Sequence, residues 1–366
     1  MLWLVPLIAF PIALAFALYL SGVSLVLVGE LIALVFLIWL NCSVIVEFAR
    51  SLKIGYVTAL FFVPFFVTLP ELITSTVLAQ YGYGLASFMN AAFSVVMDLC
   101  FTFAIFTLAY YRTCRNVLYI QCPRITFPKA YAAVALLPPV VTLCMFVDFT
   151  KMKLCTVPAL ADPVDPIILF LMYVLLLVIP SAYYLAVHSR EVEEIIIEEE
   201  KKTTFISAYR QVVVFIISLI SLFFLSYQFA ERMDIVCTLL GQKAGGILAA
   251  YLTSIPDAMF ALAAFSPNLG EVKESLVELW GSSVHDMTRN IAFPALLYAY
   301  KINIMGLTGG AVIGNLPTLL AMWLAVTGWT VTHLVEGKGR EIVATTRTAT
   351  ILLTIFALCT IIGLVL

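Results

Sequence analysis

Two short stretches place an acid directly after a proline inside otherwise apolar sequence: VTLPELITS at 67–75 and LTSIPDAMF at 252–260. In each, a hydroxyl residue stands two positions before the proline, Thr68 in the first and Ser254 in the second, where Thr253 adds another. Pro70 and Pro256 have no backbone N–H and clash with the preceding turn, so a helix kinks or unwinds there. Unwinding releases carbonyl oxygens. Together with the hydroxyls and the carboxylates of Glu71 and Asp257, they make hard-oxygen sites of the kind calcium occupies, with about 6–8 ligands at ~2.3–2.6 Å.

The echo continues downstream. Nineteen residues after Glu71 comes Asn90, followed by Ser94 and Asp98 at +4 and +8; twenty-one residues after Asp257 comes Glu278, followed by Ser282 and Asp286 at the same spacing. Residues at i, i+4 and i+8 lie on nearly one face of an α-helix, so each series forms a polar stripe suited to a bundle interior. Searching for internal repeats therefore yields one ordered series, present twice: hydroxyl, proline, acid, turn, amide or acid, serine, acid.

The elements that must position these residues are set by composition. The 366-residue chain is 63% hydrophobic and 11% charged, against about 25% charged in soluble domains. That is a polytopic, all-α membrane protein. A spanning helix needs about 20 apolar residues, and runs of that length fall at 2–21, 25–48, 54–80, 85–111, 126–147, 166–188, 205–230, 235–265, 275–299, 302–334 and 345–366. The first has neither a basic leader nor a small-residue cleavage pattern, so it is read as a helix and not a signal peptide. About 11 transmembrane helices result: one extra N-terminal helix (1–22) and two five-helix halves (25–188 and 205–366), joined by an acidic cytoplasmic connector (189–204).

Orientation follows from lysine and arginine. With the N-terminus cytoplasmic, the inner loops hold fourteen basic residues and the outer loops four, Lys151, Lys153, Arg232 and Lys301. The C-terminus is then outside, the third span runs outward and the eighth inward. The two series become inverted copies, the architecture in which secondary transporters hold substrate near the bilayer midplane between helix-breaking segments. The lipid bilayer is the expected partner and the cell membrane the expected location.

The residues now resemble a known family. TLPEL and TSIPD, each followed by a polar-x-x-x-Ser stripe, are similar to the two α-repeats of the sodium/calcium exchanger branch of the calcium/cation antiporter superfamily, over 66–98 and 252–286. The resemblance implies a secondary active antiporter exchanging Ca2+ or a related divalent cation for Na+ or H+, with no organic cofactor. It implies Glu71, Asn90, Asp257 and Glu278 as central ligands, with Thr68, Ser94, Thr253, Ser254 and Ser282 at flanking oxygen positions; Asp98 and Asp286 complete the stripes. Phe66 and Val67 replace the family's glycine and threonine, which bears on the flanking sodium sites more than on the central one. The extra helix and acidic connector resemble proton/calcium exchangers instead, although their G-N-x-x-E signature is absent. The coupling ion stays open between sodium and proton.

An acid at the bilayer centre costs about 2.5–3.5 kcal/mol or more, so a cluster of carboxylates requires neutralising cations or protons, and competition for that charge is the basis of exchange. Arg289, one turn beyond Asp286, is read either as a fixed internal cation that pairs with Asp286 or Asp98 and lowers the number of monovalent ions needed, or as a snorkelling or structurally ion-paired residue. His285 is read as a packed histidine. The stretch REVEEIIIEEEKK at 190–202 reads as a solvated helical extension or a cation-attracting acidic helix. Eight cysteines without a CxxC pair give no zinc site and no disulfide framework. An intramembrane protease has Asp98 and Asp286 as a candidate dyad but lacks GxGD and HExxH, so no enzyme is expected; a divalent transporter without exchange, or a channel, is the alternative. The net charge of −2 carries no functional signal, and no nucleic-acid partner is expected.

Overall fold

The computed structural model describes residues 22–51, 63–118, 122–127, 205–256, 269–365 and scattered positions between 136 and 174. The spans expected at 2–21 and 166–188, the connector, most of 126–147, and Asp257 with the rest of the eighth span lie outside the described residues.

Helix α1 runs Leu25–Ser51. A five-residue helix α2, Val63–Val67, is separated by Thr68 from α3, Leu69–Gln80. A turn at 81–83 leads into α4, Gly84–Val96, which passes through a π-helical turn at Met97–Thr102 into α5, Phe103–Leu118. Strand β1 is Ile125–Phe127. The second half holds α6 (Phe205–Leu240), α7 (Gln242–Thr253), α8 (Leu269–Met287), α9 (Arg289–Ala299), α10 (Leu316–Glu336), β2 (Ile342–Ala344) and α11 (Thr346–Val365).

Burial separates centre from rim. In the apolar stretches 63–80 and 84–115, 78% and 89% of the most apolar window is buried, against 33%, 22% and 28% in 25–48, 210–240 and 346–365. The α3–α4 hairpin is therefore interior. It packs against α6, α7, α8, α9 and α10, and α1 with α6 and α10 with α11 pair towards the rim. Large apolar side chains stay exposed on the outer helices, Ile217 and Phe224 on α6 and Ile361 on α11 among them, as a lipid-facing surface requires. Among the described residues, six helices are long and apolar enough to cross a membrane. The chain is a multi-pass membrane protein.

Several expected boundaries move, each for a local reason. The seventh and eighth spans were expected to divide near 231–234, where charges cluster; α6 instead continues to Leu240 and ends at Gly241, whose φ of +83° favours glycine. The charges are accommodated at its surface, with Arg232 Nε donating to Glu30 Oε2 at 2.6 Å. The tenth span begins at Leu316, not 302, because glycines at 306, 309, 310 and 314 resist helix and Asn315 caps the start, accepting from Thr318 N–H at 2.8 Å. The fifth begins as a strand: Ile125, Thr126 and Phe127 pair antiparallel with Ala344, Val343 and Ile342.

Three contacts set which loops share an end. Arg232 with Glu30 joins the end of α6 to the start of α1, Thr308 N donates to Gln80 Oε1 at 3.1 Å, and β1 meets β2. The start of α7 lies at the α3–α4 turn, where Tyr83 Oη and Thr238 Oγ1 share a 2.7 Å hydrogen bond and Leu85 N donates to Gln242 Oε1 at 3.2 Å. Thus α3 runs towards that end and α7 away from it.

The 300–315 segment seats on the hairpin through glycine. A Cβ at Gly310 would lie 1.9 Å from Ala79 O and 2.3 Å from Ala79 C. Because the obstacle is backbone, Gly310→Ala must displace the segment, at an expected cost of about 1–3 kcal/mol. Thermal unfolding of the purified variant in detergent checks this; an unchanged midpoint would mean the segment is not held there.

Candidate functional site

Both proline signatures break their helix at the same point. Thr68 is a turn residue with φ −86° and ψ 11°, and Ser254, which closes α7, has φ −80° and ψ −5°. Each lies two residues before its proline, and helix resumes immediately after it. The break turns Glu71 from a mid-helix acid into a residue of the first turn of α3, where exposed N–H groups and the helix dipole favour a carboxylate. Leu69 and Pro70 open the helix, where proline's missing N–H costs nothing. Glu71 is fully buried.

Asn90, on the facing helix α4, is tied to this turn. Its Nδ2 donates to Glu71 O at 3.1 Å and to Ser75 Oγ at 2.9 Å, and Ser75 Oγ donates to Ser87 O at 3.3 Å. Both amide protons are directed at α3, so Oδ1 faces away, and it accepts no hydrogen bond among the described residues. One turn on, Ser94 Oγ donates to Asn90 O at 2.9 Å. A further turn on, buried Asp98 falls in the π-helical turn, an irregularity frequent at functional sites.

The second series shows the same distribution. Glu278, Ser282 and Asp286 are all buried along α8. Two residues past Asp286 the helix breaks at Thr288, whereas in the first series Asp98 itself lies within the π turn. Asn290 Nδ2 donates to Asp286 Oδ1 and reaches Thr68 O at 3.5 Å. The α8–α9 break therefore abuts the α2–α3 break. Thr253 Oγ1 donates to Ala249 O at 2.9 Å, and buried Ser254 Oγ has no hydrogen-bond partner among the described residues.

The structure thus brings together Glu71 with Asn90, and Thr68 with the neighbourhood of Asp286. Asp257 lies outside the described residues. Among the described residues no three Asp, Glu, His or Cys side chains converge as a metal site, so the expected set of one amide and three carboxylates is not assembled by them alone. Sequence reasoning missed Ser75 and Asn290, although the signal was present. Ser75 is one turn after Glu71, and Asn290 extends the four-residue period 278, 282, 286 by one step. His285 is buried with its ring 5.9 Å from that of Phe65, edge to face.

Arg289 also makes contacts across the molecule. Its guanidinium reaches across to the other break, donating to Phe65 O, Thr68 O and Thr68 Oγ1. A residue of the second half completes the broken helix of the first.

Asn90→Leu keeps the volume and removes both donors. With Ser75 Oγ and Glu71 O left to compensate, about 1–3 kcal/mol of stability should be lost, and Ser75→Ala should cost less because Nδ2 retains the carbonyl. Comparing the two unfolding midpoints decides whether the amide holds the hairpin; equal losses would mean it does not.

No family model matches the chain, nor does any curated protein. Solved structures do. Native YfkE is 19% identical, with a TM-score of 0.59 over 98% of this chain and 99% of its own. The sodium-calcium exchanger NCX_Mj, soaked with sodium and zero calcium, is 16% identical, with a TM-score of 0.58 over 92% and 98%; soaked with sodium and strontium it gives 15% and 0.57 over 91% and 97%. At this identity the likeness is one of fold, and it extends over nearly the whole of each chain.

Proposed function

We propose that this chain is a secondary active antiporter of the calcium/cation antiporter superfamily, exchanging Ca2+ or a related divalent cation for Na+ or H+. One observation carries the reading. Two helices break at equivalent hydroxyl residues, each break is followed by proline and acid, and the helices approach their breaks from opposite ends. A channel has no need of two inverted acid-bearing breaks, whereas alternating access between two repeats does. The fold shared with a sodium-calcium exchanger supports the same class.

In this reading the halves are 25–188 and 205–366, with repeats at 66–98 and 252–286, preceded by the extra helix 1–22 and linked by 189–204. The carboxylates of Glu71, Asp257 and Glu278 and the Oδ1 of Asn90 bind the divalent cation near the midplane. Thr68, Ser94, Thr253, Ser254 and Ser282 supply flanking oxygens, and Asp98 and Asp286 supply charge at the far ends of the stripes. A neutralised site crosses between the two faces and a bare anionic one does not, which couples the two fluxes.

The test is uptake of radioactive calcium into proteoliposomes of the purified protein, with an outward gradient of sodium or of protons. Uptake driven by either establishes antiport and identifies the coupling ion. Uptake that ignores both gradients points to a uniporter or channel, and the absence of uptake for calcium, strontium and manganese alike removes the proposal.

A further inference from the structure

Arg289 carries a permanent charge and is 3% exposed, so its surroundings must compensate it. Nη1 donates to Phe65 O at 2.9 Å, and Nη2 to Thr68 O at 3.1 Å and to Thr68 Oγ1 at 2.7 Å. The Phe65 ring lies beneath it, 5.0 Å from Cζ to the centroid, and Asn290 Oδ1 holds Nε at 3.0 Å. Two backbone carbonyls and a hydroxyl at the C-terminal end of a half-helix are the ligands with which broken membrane helices bind sodium, at the negative end of the dipole. Here a side chain has taken them.

We infer that Arg289 is a tethered monovalent cation, filling the oxygen cradle at the Thr68 break and excluding a mobile ion from it. The other break has no such guest among the described residues. Ser254 Oγ is buried without a hydrogen-bond partner there, and the position corresponding to Arg289 in the first series, three past Asp98, is Phe101, whose ring lies 5.0 Å from that of Phe356. Charge compensation is asymmetric: one cradle is occupied permanently, and mobile monovalent ions are left to the other. The consequence for coupling rests on the antiporter reading, since a site that always carries one positive charge needs one monovalent ion fewer for each divalent cation exchanged.

The test follows thermal unfolding of the full-length protein in detergent as sodium replaces choline at constant ionic strength. In Arg289→Ala the midpoint should fall in choline and recover with sodium, rising with the logarithm of concentration as ligand-linked stability does. Millimolar guanidinium should restore it equally, and wild type should respond to sodium with one ion fewer. Adding Thr68→Val to Arg289→Ala should abolish the extra response by removing the cradle's hydroxyl. If Arg289→Ala does not fold, Arg289→Gln, similar in length and uncharged, is measured in its place. A sodium response identical to wild type in whichever variant folds overturns the inference. Calcium uptake by the wild type is scored separately: uptake without an altered sodium response sinks only the tethered cation, whereas an altered response without uptake sinks only the antiporter.

Discussion

Divalent cation uptake falls to the level of empty vesicles when Glu71 is replaced by Gln, while the unfolding temperature in cation-free buffer holds or rises. The two expectations share one cause. Glu71 sits in the first turn of α3 with its side chain fully buried, and a charge at such depth costs about 2.5–3.5 kcal/mol or more. Glutamine has the same shape and omits that cost, so the fold gains what the site loses. The hydrogen bonds from Asn90 go to the carbonyl of Glu71 and to Ser75, not to the Glu71 carboxylate, so the substitution leaves them intact. Asp257→Asn should behave alike. Asp286→Asn should cost less uptake, because an amide there retains an oxygen able to accept from Asn290, which donates to Asp286 now. Tracer uptake and unfolding measured on the same preparations check the set; wild-type flux in Glu71→Gln would remove the proposed site, and lost flux with a lowered midpoint would reduce it to a folding defect.

Glu71 also marks how far the sequence could be read. A proline and a polar residue in apolar sequence predict a break, because both effects are local, and the breaks fall at Thr68 and Ser254 as the chemistry requires. Spacing of four predicts a shared face, and Asn90, Ser94 and Asp98, like Glu278, Ser282 and Asp286, are all buried. Hydropathy, however, measures transfer into lipid and says little about backbone path. It divided α6 from α7 at the charges near 231–234, which the helix instead carries at its surface against α1, and overlooked Gly241, where the backbone turns. It merged the glycine-rich 302–315 segment into a helix for the same reason. The contact between Arg289 and Thr68 joins positions 221 residues apart in the chain; no window along the sequence contains both.

The largest combined effect on fold and function is expected from Gly246→Val. Helices associate in lipid by close packing at small residues, with no hydrophobic drive between them, and α7 meets α4 through Gly246. A Cβ there would stand 2.8 Å from Met89 Cβ and 2.9 Å from both Cα and O of Ala86. None of these obstacles is the end of a flexible side chain, so truncating Met89 or Ala86 gives no relief and the helices must separate. Overpacking of this kind costs about 1–3 kcal/mol and at times more. Separation also has a functional consequence that a loop substitution lacks. Helix α4 carries Asn90 directly after Met89 and Ser94 a little over one turn beyond it, and α7 carries Thr253 and Ser254 two turns beyond Gly246, so the two sides of the proposed site move apart. Gly246→Val is therefore expected to lower the unfolding midpoint and to abolish uptake even in the fraction that remains folded, whereas Gly310→Ala lowers the midpoint and spares uptake per folded molecule. Normalising flux to folded protein in the two variants separates these outcomes. Equal flux per folded molecule in both would show that the α4–α7 crossing supports the fold without positioning the site.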